Sequence, residues 1–182
     1  MSSVVISGNT SGTITLDAPA VAGTTTLTLP TTNGTIITTG STFGGTGPAF
    51  SAYQSSVQTV SSGTWTKVQL QTEEFDTNSN FDSTTNYRFT PTVAGYYQVN
   101  AVVTVSNPAS ANQAGFYKNG SLFKYFGNSG TASQNTINGS ALISCDGSTD
   151  YIEFYVNLST GQALSGSGQT YVYFQGSMVR SA

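Results

Sequence analysis

The chain has 182 residues, of which 37% are hydrophobic and only 7% charged, and its net charge is −3. That length suits one ordinary domain plus an appendage, with enough apolar residues for a core and a surface of Ser, Thr, Asn, Gln and Gly. The basic residues Lys67, Arg88, Lys118, Lys124 and Arg180 are scattered, which argues against nucleic-acid binding, and no apolar run approaches the length of a membrane span.

The opening M-S-S-V-V-I-S-G-N-T has neither the basic region nor the apolar core of a secretory leader, so synthesis and assembly in a cytoplasm are expected. Residues 1–40 are rich in Thr, Ser and Gly. Short alternating runs at Thr13 to Leu16 and Thr26 to Leu29 read as strands, and Asn33-Gly34 after Pro30 reads as a hairpin turn. Such strands are too short and Thr-rich to bury much alone. This segment is therefore expected to be an attachment arm that orders against a larger assembly. Residues 41–48 read as a linker by composition.

Residues 49–182 read as one all-β domain. Strands are expected at Phe50 to Gln54, Thr64 to Gln71, Tyr87 to Thr90 and Tyr96 to Ser106. Further strands are expected at Gly115 to Lys118, Leu122 to Phe126, Thr136 to Ser144, Tyr151 to Leu158 and Thr170 to Val179. Alternation is clearest from Tyr96 to Val105, which places Tyr97, Val99, Ala101, Val103 and Val105 on one face. Asn119-Gly120 marks a hairpin and Asp146 to Asp150 another turn. About nine short strands at regular spacing point to a sandwich or jelly roll.

The segment F-D-T-N-S-N-F-D-S-T-T-N-Y-R-F-T-P-T-V-A-G-Y-Y-Q-V, from Phe75 to Val99, resembles the signature of the C1q globular domain. The similarity continues through G-P-A-F-S-A-Y, T-W-T-K-V-Q-L, F-Y-K-N-G, S-A-L-I-S-C-D-G-S-T-D-Y-I-E-F-Y-V and Y-V-Y-F-Q-G-S-M-V, and so covers most of residues 49–182. The resemblance implies a jelly roll of the C1q/tumour necrosis factor type, assembled as a homotrimer that binds rather than catalyses. It also implies calcium as a candidate ligand, with Asp146 and Asp150 as oxygen donors. The sequence departs from C1q proteins in having no collagen-like G-X-Y run. The segment from Ser11 to Thr38 is similar to Thr/Gly-rich stretches near the N-termini of bacteriophage tail-fibre and structural proteins.

The late strands are aromatic on both faces. Ile152, Phe154, Val156 and Leu158 oppose Tyr151, Glu153, Tyr155 and Asn157; Val172, Phe174 and Met178 oppose Tyr171 and Tyr173. One face of a sandwich sheet needs no apolar cover. The second row, Tyr151, Tyr155, Tyr171 and Tyr173, is therefore read as the trimer interface, where a ring is buried while its hydroxyl keeps a polar partner.

Catalytic equipment is sparse. There is no His, and Cys145 is alone in an apolar run, where it reads as a core residue. Glu73, Glu74 and Asp76 are the carboxylates that a glycan hydrolase would use, but they read as solvated charges in polar turns. The expectation is a non-enzymatic phage virion protein whose partners are its own copies and other virion proteins such as capsid or tail proteins. Capsid decoration or a short head fibre is the first role. The alternative is a receptor-binding tail-fibre tip for a host-surface glycan, with Tyr125, Asn128 and Gln134 in its ligand loop.

Overall fold

The computed structural model describes residues 3–7, 11, 13–17, 47–105, 112–128, 135–165 and 170–182. Backbone contacts divide the chain into two units, Met1–Ser41 and Thr42–Ala182. In the first, β1 (Ser3–Ser7) pairs antiparallel with β2 (Thr13–Asp17). The strand expected at Thr13 to Leu16 is thus present, with a partner that the sequence did not announce. The expected strand at Thr26 to Leu29 and the Asn33-Gly34 turn lie outside the described residues.

The second unit begins its strands with β3 (Ala49–Tyr53), β4 (Thr59–Val60), β5 (Thr66–Lys67), β6 (Thr72–Asp76), β7 (Phe81–Asp82) and β8 (Arg88–Phe89). Longer strands follow: β9 (Gly95–Val105), β10 (Asn112–Lys118), β11 (Ser121–Asn128), β12 (Asn135–Cys145) and β13 (Ile152–Asn157). The short β14 (Gln162–Ala163) and the closing β15 (Val172–Ser181) complete the set. One sheet runs β11-β10-β13-β8-β7, with β5 also on β13, and the other runs β12-β9-β15-β3-β6. β4 and β14 form a small separate pair. Every pairing between these named strands is antiparallel, so each sheet can carry one apolar face inward and one polar face outward.

The core lies between the sheets. Tyr97, Val99, Ala101, Val103 and Val105 of β9 are all buried, as their alternation requires, and Ile152, Phe154 and Val156 of β13 face them from the other sheet. Phe50 stacks on Phe89 at 4.3 Å and on Phe81 at 5.0 Å between ring centres, and meets Phe174 edge-on at 4.9 Å. These rings come from four strands distant in sequence and join the two sheets. Tyr97 buries its ring beside Phe89 and donates its hydroxyl to the Val93 carbonyl at 2.6 Å. Cys145 is buried, and burial pushes its thiol up to about 11, so it is a small apolar filler.

Two expectations need correction. The long strand at Thr64 to Gln71 is reduced to the two-residue β5, although Val68 and Leu70 still reach the core. Glu73, Glu74 and Asp76 do not stand in a turn: they belong to β6, an edge strand beside β3. An edge strand with polar residues tolerates solvent on its open side, so composition alone resembled a turn. Between Ser51 and Ala52 the β3–β6 register shifts by a bulge. The extra residue re-aims the side chains of β6.

Close approach explains two glycines. A Cβ on Gly139 would lie 2.4 Å from the Phe126 ring. Gly147 has φ +74° in the turn before β13, and a Cβ there would lie 2.3 Å from the Ala94 backbone nitrogen. Gly147→Ala therefore meets both a left-handed backbone and immovable main chain. It is expected to cost about 2–4 kcal/mol, seen as a lower thermal midpoint. A midpoint equal to wild type would show that this turn does not dock on the Val93–Ala94 segment.

Candidate interaction surfaces

The four predicted interface tyrosines do not share one surface. On β13, Tyr155 alternates with buried Phe154 and Val156, so it lies on the outer face of the six-stranded sheet, with Tyr151 just before the strand. On β15, Tyr173 alternates with buried Val172 and Phe174 and stands on the outer face of the five-stranded sheet, directly opposite Tyr53. Tyr171 precedes β15 and is 41% exposed. Alternation identified outward residues, whereas sheet membership put them on opposite sides of the sandwich.

The six-stranded sheet carries an aromatic row. Tyr155 stacks on Tyr117 at 3.9 Å, Tyr117 meets Trp65 at 5.8 Å, and Trp65 meets Tyr125 edge-on at 6.5 Å. These rings gather over Gly115, where a Cβ would lie 2.6 Å from Leu122 and 3.6 Å from Trp65. Tyr125, from the predicted ligand loop, is 58% exposed and belongs to the edge strand β11. Asn128 ends that strand, with only its backbone described, and Gln134 lies outside the described residues. The sequence reading missed Trp65 and Tyr117. Tyr117 was detectable as the outward neighbour of apolar Phe116, whereas Trp65 sits in an irregular segment without period.

Beside this row, Glu153, read as an outward residue beside Tyr151 and Tyr155, is only 3% exposed. Lys67 of β5 crosses to its carboxylate at 2.5 Å and also donates to the Asn86 carbonyl at 3.1 Å. Burial, then the Glu153 carboxylate, pushes the Tyr155 hydroxyl up to about 12, and burial also raises that of Tyr117. Arg88 covers the Tyr151 ring at 4.3 Å, a contact worth a fraction of a kcal/mol to about 2.

Several hollows lie on the outer face of the five-stranded sheet, and two of them flank β15 at its opposite ends. One, of about 270 Å³, is lined by Ser51, Tyr53, Glu74, Tyr173 and Gln175. Glu74 enters it from the bulged part of β6 and accepts a hydrogen bond from the Ser51 hydroxyl at 3.1 Å. The other, of about 460 Å³, lies at the opposite end of β15 between Tyr96, Leu142, Val179 and Arg180. Tyr96, Leu142 and Val179 are 43%, 54% and 56% exposed, an apolar patch rather than scattered residues.

Asp146 and Asp150, the predicted calcium donors, meet in their turn. Asp146 accepts the backbone N–H groups of Ser148, Thr149 and Asp150 at 2.9–3.0 Å and the Thr149 hydroxyl at 2.7 Å. Asp150 pairs with Lys118 at 2.9 Å and accepts from the Asn119 amide at 2.7 Å. These oxygens tie the β10–β11 hairpin to the β12–β13 turn. Among the described residues no three His, Cys, Asp or Glu side chains converge as a metal site. Glu73 accepts from the Ser83 hydroxyl at 2.6 Å, and Asp76 accepts the Phe81 N–H at 2.7 Å.

The turn carboxylates make the domain acid-sensitive. Backbone N–H groups, Thr85 foremost for Asp82 and Asp150 for Asp146, hold both well below the usual carboxylate range, and the Asn119 amide lowers Asp150. A depressed folded pKa contributes stability above the ordinary carboxylate pKa of about 4, and that contribution fades as pH falls toward the folded value. Urea midpoints should therefore be flat from about pH 7 to 5 and fall below about pH 4. Asp82→Asn should make that fall shallower; an unchanged slope would remove Asp82 from the account.

No protein-family model and no curated protein matches the sequence. Solved structures do match its fold. The globular domain of zebrafish complement 1qA is 17% identical, with 74% of this chain and 99% of that one aligned at a TM-score of 0.58. Eiger TNF from S. frugiperda is 9% identical over 75% and 95%, with a TM-score of 0.60. The vertex protein P5 of phage PRD1 is 18% identical over 75% and 99%, with a TM-score of 0.56. With its two antiparallel sheets and these likenesses, the chain folds as a jelly roll of the C1q/tumour necrosis factor type.

Proposed function

We propose that this chain is a non-enzymatic, homotrimeric structural protein of a bacteriophage particle, attached through residues 1–40, with capsid decoration or a short head fibre as its role. The observation that carries the assembly is a pair of unlike apolar surfaces. The edge strand β11 exposes Leu122, Phe123 and Tyr125, while the outer face of the five-stranded sheet exposes Tyr96, Leu142 and Val179. A two-fold dimer sets like against like and leaves one patch in water. A head-to-tail contact buries both patches, and it forms a ring when its rotation closes. Three is the number that the C1q resemblance of the sequence implies. The virion setting is supported by the Thr/Gly-rich N-terminal segment and by the likeness to the PRD1 vertex protein.

Light scattering after size exclusion should give three copies of 18.9 kDa, about 57 kDa. A stable monomer would sink the reading. A second reading, a tail-tip adhesin for a host-surface glycan, is favoured by the half-exposed Trp65, Tyr117 and Tyr125 rings, with Gln113 directly opposite Asn157 beside them. Antibody label on the phage head supports decoration; label at the tail tip replaces it with adhesion.

A further inference from the structure

Most charges of the knob are settled within the chain. Lys67 pairs with Glu153 and Lys118 with Asp150, while Asp76, Asp82 and Asp146 are held by the N–H groups of their own turns. Arg88 lies over Tyr151 and opposite Asp82 in the β7–β8 ladder. Glu74 is different. It lines a hollow between two tyrosines, and a serine hydroxyl is its hydrogen-bond donor, with no cation at ion-pair distance among the described residues. Ser51 in the floor of that hollow is only 4% exposed. A carboxylate flanked by two phenol rings and a Gln amide is a receptor for a compact cation, because the rings add cation–π attraction to the ion pair.

Three cations have no carboxylate at ion-pair distance among the described residues, Arg88, Lys124 and Arg180, and of these Arg88 is taken up over the Tyr151 ring. Arg180 is on the same sheet as the hollow but at its far end, opposite Tyr96. A head-to-tail contact joins different surfaces, so the matching cation should come from the other one. Lys124 does. It stands on edge strand β11 among exposed Leu122, Phe123 and Tyr125, its ammonium 5.2 Å from the centre of the Phe123 ring. Measured along β9, Lys124 and the hollow also lie at nearby levels. Phe126, two residues on, packs against Gly139, which pairs with Ala101, while Tyr173 of the hollow pairs with the next residue, Val102.

We infer that Lys124 of one copy seats in the Ser51–Tyr53–Glu74–Tyr173–Gln175 hollow of the next, forming an ion pair at every contact around the ring. The inference rests on the trimeric reading and names the residues that close it. The hollow is the socket and the β11 edge is the plug. Apolar contact around them excludes water and strengthens the pair.

The test is charge exchange, read by native mass across a dilution series. Wild type should remain near 57 kDa, three times 18.9 kDa. Glu74→Lys and Lys124→Glu should each shift the species toward 18.9 kDa at concentrations where wild type stays assembled. Both residues are exposed, so the single variants should keep the wild-type β circular dichroism; Glu74→Gln is a milder variant should Glu74→Lys fail to fold. The double variant Glu74→Lys/Lys124→Glu should return to the trimeric mass. Trimers in all variants with unchanged dilution behaviour would overturn the pairing and leave the trimeric reading standing. Dissociation of the singles without rescue in the double would also overturn it. A monomeric wild type would overturn both.

Discussion

Phe174→Ala is expected to lose about 3–5 kcal/mol, the cost of removing a fully buried aromatic ring and leaving a cavity that the sheets cannot close. Phe174 is fully buried and meets Phe50, Phe116, Phe154 and Phe81 at ring separations of 4.9, 5.6, 6.2 and 6.2 Å. Those four rings come from β3, β10, β13 and β7, so one deletion loosens both sheets at once. Against a typical domain stability of about 5–15 kcal/mol, such a loss should lower the thermal midpoint by about 10–15 °C. Phe174→Leu keeps most of the apolar volume and should cost less than about 2 kcal/mol. Thermal melts of the two variants make the check. Equal, small losses would mean that the ring cluster is not the centre of the core.

The second large effect is expected at the covered carboxylate. Lys67→Met keeps the aliphatic stem but removes the charge that compensates Glu153, and should cost about 2–4 kcal/mol. Lys67 itself keeps some contact with water, its side chain being 28% exposed against 4% for Glu153. Losing the carboxylate is therefore milder than losing the ammonium. Glu153→Gln alone should cost about 1 kcal/mol. The double variant Lys67→Met/Glu153→Gln should be more stable than Lys67→Met alone, because no covered charge is left uncompensated. Urea denaturation of the four proteins gives the coupling directly. Strict additivity would show that the two groups do not act as a pair.

Where a strand was long and one of its faces apolar, the residues themselves announced the result. From Tyr96 to Val105 the alternation correctly placed Tyr97, Val99, Ala101, Val103 and Val105 in the core. Thr104, on the opposite face, is also buried; its N–H bonds to the Tyr171 carbonyl and its hydroxyl meets that of Thr136 at 3.0 Å. The Asn119-Gly120 hairpin was legible because both residues adopt positive φ, 52° and 77°, which this dipeptide tolerates best. β6 was not legible, since T-E-E-F-D carries no clean alternation and owes its strand form to pairing with β3. Of the candidate site residues, the tyrosines were correctly read as turned away from the core. Their division between two faces was not visible.

Local chemistry therefore determined which residues turn inward, where the chain reverses, and that the domain is all-β. Those properties depend on neighbours two to four positions apart, a distance at which pleat and turn geometry act. The fold decided which outward residues meet. The Ser62 hydroxyl bonds to a carbonyl 97 residues away, and Gln98 meets Ser140 at a separation of 42. Lys67 covers Glu153 because β5 docks on β13, and Glu74 enters its hollow because a bulge displaces β6 against β3. Strand order and register are set by the packing of two whole sheets, so a surface assembled from five strands exists only once those sheets have closed on one core.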